Sequence, residues 1–128
     1  MKECFLSVII PAYNEEKRLL PTLSKICAYL STKDFPYEII VVDDGSTDNT
    51  LQIIKNFTSS DKHIILLVNE LNKGKGYSVK KGMLSARGEY VFFTDADLST
   101  PIEEIEKCLP HFINGYNVVI GSRSMPGS

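Results

Sequence analysis

The sequence predicts an α/β fold of three layers, with helices on both faces of a mostly parallel sheet. Three observations predict it. Five apolar runs alternate with four amphipathic stretches along the chain. The apolar runs lack strict in-and-out alternation, as expected of parallel strands covered on both faces. Two of the runs end in acidic pairs: Asp43-Asp44 follows Ile39-Ile40-Val41-Val42, and Asp95-Ala96-Asp97 follows Tyr90-Val91-Phe92-Phe93-Thr94. In open sheets of this class, ligands bind outside the carboxyl ends of the strands, where such groups would gather.

The strands are expected at about 5–10, 38–43, 64–69, 90–94 and 117–121. After the first strand comes Pro11-Ala12-Tyr13-Asn14-Glu15-Glu16-Lys17-Arg18, long for a strand-to-helix turn. The first helix is expected over about 20–31. Leu23, Ile26, Cys27 and Leu30 fall on one face there, and Pro21 suits the first turn. The second helix, over about 48–58, places Leu51, Ile54 and Phe57 on one side. Ser46, Thr47 or Asp48 could cap it. A weaker third helix is expected over about 76–86. A fourth begins at Ser99-Thr100-Pro101 and carries Ile102, Ile105, Cys108, Leu109 and Phe112. Glu103 and Glu104 complement its positive end. Right-handed crossovers then place these helices on the two faces of the sheet.

Composition narrows the function classes. The 128 residues suffice for one domain with a real core, and 43% hydrophobic with 23% charged residues is ordinary for a globular protein. A net charge of −2 gives no electrostatic footprint for nucleic acid. No apolar run is long enough to cross a membrane as a helix, and the start Met1-Lys2-Glu3-Cys4 is no secretory leader. Cys4, Cys27 and Cys108 have no C-x-x-C spacing. They are expected to be small core residues in a reducing compartment, which implies a cytoplasmic location. The ending Gly121-Ser122-Arg123 through Ser128 reads as a chain cut short just after a site residue.

Each strand end contributes to one crevice. Asp95 and Asp97 share a direction in extended backbone, and two carboxylates suit Mg²⁺ or Mn²⁺ that also binds phosphate oxygens. Asp43-Asp44-Gly45-Ser46 is partly a turn, but a turn needs one aspartate at most. Asp44 is expected to accept from a base or a ribose hydroxyl. Asn72-Lys73-Gly74-Lys75-Gly76 reads as a phosphate cradle ahead of a helix, although it has neither P-loop nor dinucleotide-fingerprint spacing. Arg123 adds a bidentate phosphate donor. His63 and His111 are expected away from this edge, in structural or solvated places.

The motifs at 7–15, 42–48, 72–76 and 95–97 occur in an order that resembles glycosyltransferase family 2, with its GT-A fold, across essentially the whole chain. Within the family, Glu15 to Leu19, the glycine loop and Gly121-Ser122-Arg123 look most like the dolichyl- or polyprenyl-phosphate glucosyltransferases, with the mannosyltransferases next. The resemblance implies inverting hexose transfer from a nucleoside-diphosphate sugar, UDP-glucose favoured, to a lipid phosphate at a membrane surface. It implies nucleoside contacts from Pro11, Tyr13, Glu15 and Asp44, with Ala12, Asn14 and Asp43 beside them. It implies diphosphate and metal contacts from Asp95, Ala96 and Asp97, and phosphate contacts from Lys73, Gly74, Gly76 and Arg123. Residues 1–128 would be the donor-binding domain, peripheral at the cytoplasmic face of a membrane and compatible with a homo-oligomer. Alternatives are a family 2 transferase with a hydroxyl acceptor, which needs a base motif beyond this chain, and a non-catalytic nucleotide-sugar module. A nucleotidyltransferase would want a glycine-rich basic loop after the first strand. A phosphoreceiver would want an aspartate where the third strand ends in Val68-Asn69.

Overall fold

A computed structural model of the chain describes residues 4–94 and 118–120. The elements are β1 (Leu6–Ala12), α1 (Leu19–Leu30), β2 (Tyr37–Asp44), α2 (Thr50–Ser60), β3 (Ile64–Asn69), α3 (Lys75–Ser85), β4 (Tyr90–Phe93) and β5 (Val118–Ile120). The alternation expected is present through β4, and a strand follows at β5, with element ends displaced by at most two residues. The expected fourth helix, with Cys108 and His111, lies outside the described residues. So do Asp95, Ala96, Asp97 and Arg123.

The sheet has the order β3-β2-β1-β4-β5, and every described pairing is parallel. The chain builds outward from β1 to β3, then returns to the other side of β1 to lay down β4. Alternate residues along each strand enter different layers, the period-two geometry of extended backbone. Leu6, Val8, Ile10, Ile39, Val41 and Phe92 pack with Leu19, Leu23, Ile26 and Leu30 of α1 and Ile54 of α2. Ile9, Ile40, Val42 and Val91 form the opposite layer, with Ala86 at the end of α3 packed on it. β1 and β2 are therefore wrapped on both faces, which is why their sequences are apolar without alternation.

Of the three residues expected to cap α2, Asp48 receives a first-turn N–H, from one position before the cap. Its cap position is Asn49, which makes no side-chain cap bond. Asp48 instead accepts from the Thr50 N–H at 2.9 Å and from the Thr50 hydroxyl at 2.5 Å. Cys4 is buried, and Cys27 is half-buried against the α1 layer. Burial, reinforced by Asp61, pushes the Cys27 thiol up to about 12, so it behaves as a core residue rather than a nucleophile. His63 stacks on Tyr37 at 4.3 Å and pairs with Asp61 at 2.8 Å, where β3 begins. No helix among the described residues is long and apolar enough to cross a membrane.

Candidate functional site

The strand order puts the reversal point between β1 and β4, with the end of β2 on the other flank of β1. The loop after β1 is locked to the loop after β2. The Asn14 N–H donates to Ser46 Oγ at 2.9 Å, the Glu15 N–H to Thr50 Oγ1 at 2.8 Å, and the Thr47 N–H to Asn14 Oδ1 at 2.8 Å. Asn14 adopts a φ of 51°, a left-handed conformation that asparagine tolerates better than most residues. Pro11 and Ala12 are buried as the last residues of β1, while Tyr13 is 45% exposed at the rim. Sequence inspection identified the long loop but not its partners Ser46 and Thr50.

The neighbours Asp43 and Asp44 point to opposite faces of the sheet and have different fates. Both are buried. Asp44 Oδ1 accepts from the Lys73 N–H at 2.7 Å and Asn69 Nδ2 at 2.9 Å. Its Oδ2 accepts from the Gly74 N–H at 2.9 Å and Asn72 Nδ2 at 3.1 Å. Burial alone would raise the Asp44 carboxyl. The Lys73 N–H, the Asn69 amide and the Gly74 N–H outweigh it and hold the group below its ordinary value of 3.8. Asp44 is thus an ionised carboxylate whose orientation the chain fixes.

The glycine loop consequently has an anion within the chain. Two of the N–H groups expected to approach a phosphate, those of Lys73 and Gly74, point at Asp44. Gly45 makes this closeness possible. Its φ is +72°, and a Cβ there would lie 2.6 Å from the Asn72 nitrogen. Gly74 also has positive φ, at +99°, but stands in open space. Lys75 and Gly76 begin α3.

Among the described residues, Asp43 makes one long hydrogen-bond contact, accepting from the Ser46 N–H at 3.4 Å. Its Oδ1 is buried with no partner among the described residues. Thr94 Oγ1 is in the same condition. Thr94 follows β4, donates its N–H to Ile9 O at 3.0 Å, and immediately precedes Asp95. Buried polar atoms ordinarily find partners, and these two orphans lie beside the carboxyl half of β1. Thr94 carried no motif that would single it out from sequence. Among the described residues, no group of three His, Cys, Asp or Glu side chains could hold a metal. The carboxylates expected to hold a divalent cation, Asp95 and Asp97, lie outside the described residues.

Comparison with known proteins identifies the family. Residues 7–127 match the family model described as glycosyl transferase family 2. A dolichyl-phosphate beta-glucosyltransferase of Trichomonas vaginalis is 42% identical over 132 aligned positions, covering 95% of this chain and 39% of that protein. A human protein of the same description is 41% identical over 111 positions, covering 80% of this chain and 34% of that one. The chain therefore spans about two fifths of the length of such relatives. Among solved structures, a Pyrobaculum calidifontis mannosyltransferase in complex with GDP-Man and Mn²⁺ superposes with a TM-score of 0.72 at 26% identity, covering 86% of this chain and 32% of that one. Staphylococcus aureus TarS 1-349 in complex with UDP-GlcNAc gives 0.68 at 33% identity, covering 84% and 31%.

Proposed function

The chain belongs to glycosyl transferase family 2 and has the GT-A fold, and on that premise we propose that it forms the donor-binding part of a hexosyltransferase. The donor is a nucleoside-diphosphate sugar, UDP-glucose by preference, and the acceptor is a dolichyl or other polyprenyl phosphate. The similarity to dolichyl-phosphate beta-glucosyltransferases supports this choice. The observation that carries it is the buried Oδ1 of Asp43, without a partner among the described residues, next to the pre-oriented Asp44 carboxylate and the locked loop after β1.

In this reading, Pro11, Ala12, Tyr13, Asn14 and Glu15 form one wall for the nucleoside. Asp43 supplies an acceptor for its N–H or hydroxyl groups, while Asp44, whose oxygens are filled by donors of the chain itself, holds the 72–74 loop beside it. Lys73, Gly74, Gly76 and Arg123 lie along the phosphates, with Ala96 between the two metal-binding carboxylates. Asp95 and Asp97 would hold Mg²⁺ or Mn²⁺, which, when bound, supplies charge neutralisation for the leaving diphosphate. A lipid phosphate is already ionised and attacks without a general base, so transfer by single displacement inverts the anomeric centre. A lipid acceptor places the domain peripherally at the cytoplasmic face of a membrane, as a single copy or a homo-oligomer.

Calorimetric titration with UDP and with GDP, each with and without Mn²⁺, tests the donor half. Binding of UDP that strengthens with Mn²⁺ is expected. Failure of both nucleotides to bind under either condition overturns the reading. Transfer from UDP-glucose to a polyprenyl phosphate, assayed in a chain extended to the length of the relatives, tests the acceptor.

A further inference from the structure

Lys81 lies in the middle of α3, half-buried and away from every motif considered above. Its Nζ donates to Val68 O at 2.9 Å and to Asn69 Oδ1 at 3.0 Å. Asn69 is buried at the end of β3. Its Nδ2 donates to Asp44 Oδ1 at 2.9 Å and to Ser78 Oγ at 3.0 Å. The orientation of this amide is chemically determined. An ammonium only donates, so it demands Oδ1, and an ionised carboxylate only accepts, so it demands Nδ2. Lys81 thereby fixes Asn69, Asn69 fixes Asp44, and Asp44 holds the N–H groups of Lys73 and Gly74.

We propose that Asn69 and Lys81 are positioning residues of the donor site: through Asp44 they set the conformation of the 72–74 loop and so the placement of the Lys73 side chain against the donor diphosphate. The link to the donor rests on the function proposed above; the link to the loop does not. Chains of hydrogen bonds in a buried setting reinforce one another, so a change at Lys81 is felt at residue 73. Among the described residues, the charged groups that meet Asn69 are Asp44 from β2 and Lys81 from α3. Glu70 and Lys73 from the intervening loop line the same cavity of about 360 Å³ as Lys81.

Two variants preserve packing. Lys81→Met keeps the aliphatic stem, and Asn69→Asp is isosteric. Lys81→Met is expected to speed amide exchange at Lys73 and Gly74 by about tenfold, the scale of one hydrogen bond to a charged group. Mn²⁺-dependent UDP-glucose affinity should fall by a similar factor, and Lys81→Arg should restore both. Asn69→Asp sets a second carboxylate against Asp44. Its loop should therefore be protected at about pH 5, where the pair shares a proton, and lose protection towards about pH 8. Protection in the parent chain, corrected for intrinsic exchange, should stay level across that range.

Unchanged exchange at Lys73 and Gly74 in both variants overturns the proposal. Faster exchange with unchanged donor affinity overturns the link to the donor. Weaker affinity with unchanged exchange also overturns it, because the residues would then act on the ligand directly. If the parent chain binds no donor yet exchange responds as expected, the donor reading falls and the anchoring of the loop stands.

Discussion

β2 carries a buried carboxylate at each end, and the two ends differ in what they leave unfinished. At the amino end, Glu38 is 2% exposed and accepts from Ser7 Oγ at 2.6 Å, the Arg87 N–H at 2.7 Å and Arg87 Nε at 3.2 Å. The Gly88 N–H donates to Ser7 Oγ at 2.8 Å. This cluster staples the turn between α3 and β4 onto β1. At the carboxyl end, Asp44 does the same for the loop between β3 and α3. Both are carboxylates that gather backbone N–H groups from distant sequence, and both satisfy the rule that buried charge must be paired. The amino end closes on itself. At the carboxyl end, Asp43 Oδ1 and Thr94 Oγ1 have no partner among the described residues. Anchoring thus occurs at either end of the sheet, and among the described residues the end to which the donor site is assigned in the proposal keeps polar capacity unmet.

The strongest way to break this comparison is Asp44→Ala. It strips four donors of their acceptor and should cost about 3 kcal/mol or more of stability, since unpaired buried donors carry their full desolvation penalty. Donor binding should be abolished with it; urea unfolding and calorimetry read the two effects. Glu38→Ala should lose about 2–3 kcal/mol by the same mechanism, yet leave donor affinity in the folded protein unchanged. Equal loss of affinity in both variants would erase the distinction between the ends.

Asp43→Asn sharpens the contrast within one end. Asp43 supports almost nothing inside the chain, so stability should change by about 1 kcal/mol or less, while UDP affinity falls about tenfold for one lost hydrogen bond to a charged group. The smallest effect is in pH. Asp44 has a folded-state value below its unfolded one. Its contribution is therefore present above the ordinary value of 3.8 and is lost as pH falls through the depressed one. The stability gap between the parent chain and Asp44→Asn should be level from neutral pH down to about 4 and narrow below it. Urea midpoints recorded along a pH series check the sign.

Much of this was legible in the sequence for a local reason. The apolar runs that became β1 to β4, the Leu23-Ile26-Leu30 stripe of α1 and the acidic pair ending β2 all depend on spacing between near neighbours. The family motifs are equally local. Asn69 and Lys81 were not legible as site residues. A single asparagine ending Ile64 to Val68 was the available signal for the first, and nothing distinguished the second from other lysines of α3. The α2 cap was left open among Ser46, Thr47 and Asp48 for a related reason: Asp48 takes the Thr50 N–H, and Ser46 and Thr47 are engaged by Asn14 of the loop after β1.

By itself, the sequence determined the α/β class, the burial of the strands, the family and the residue types gathered at the strand ends. The tertiary structure alone decided the order β3-β2-β1-β4-β5, and with it which loops meet. It also decided that Asp44 is saturated by donors 25 to 30 residues away while Asp43 beside it has an oxygen without a partner among the described residues. The physical reason is range. Hydrophobic periodicity acts over one turn or one strand, whereas a hydrogen-bond partner is assigned by whichever distant segment the packed sheet brings within about 3 Å.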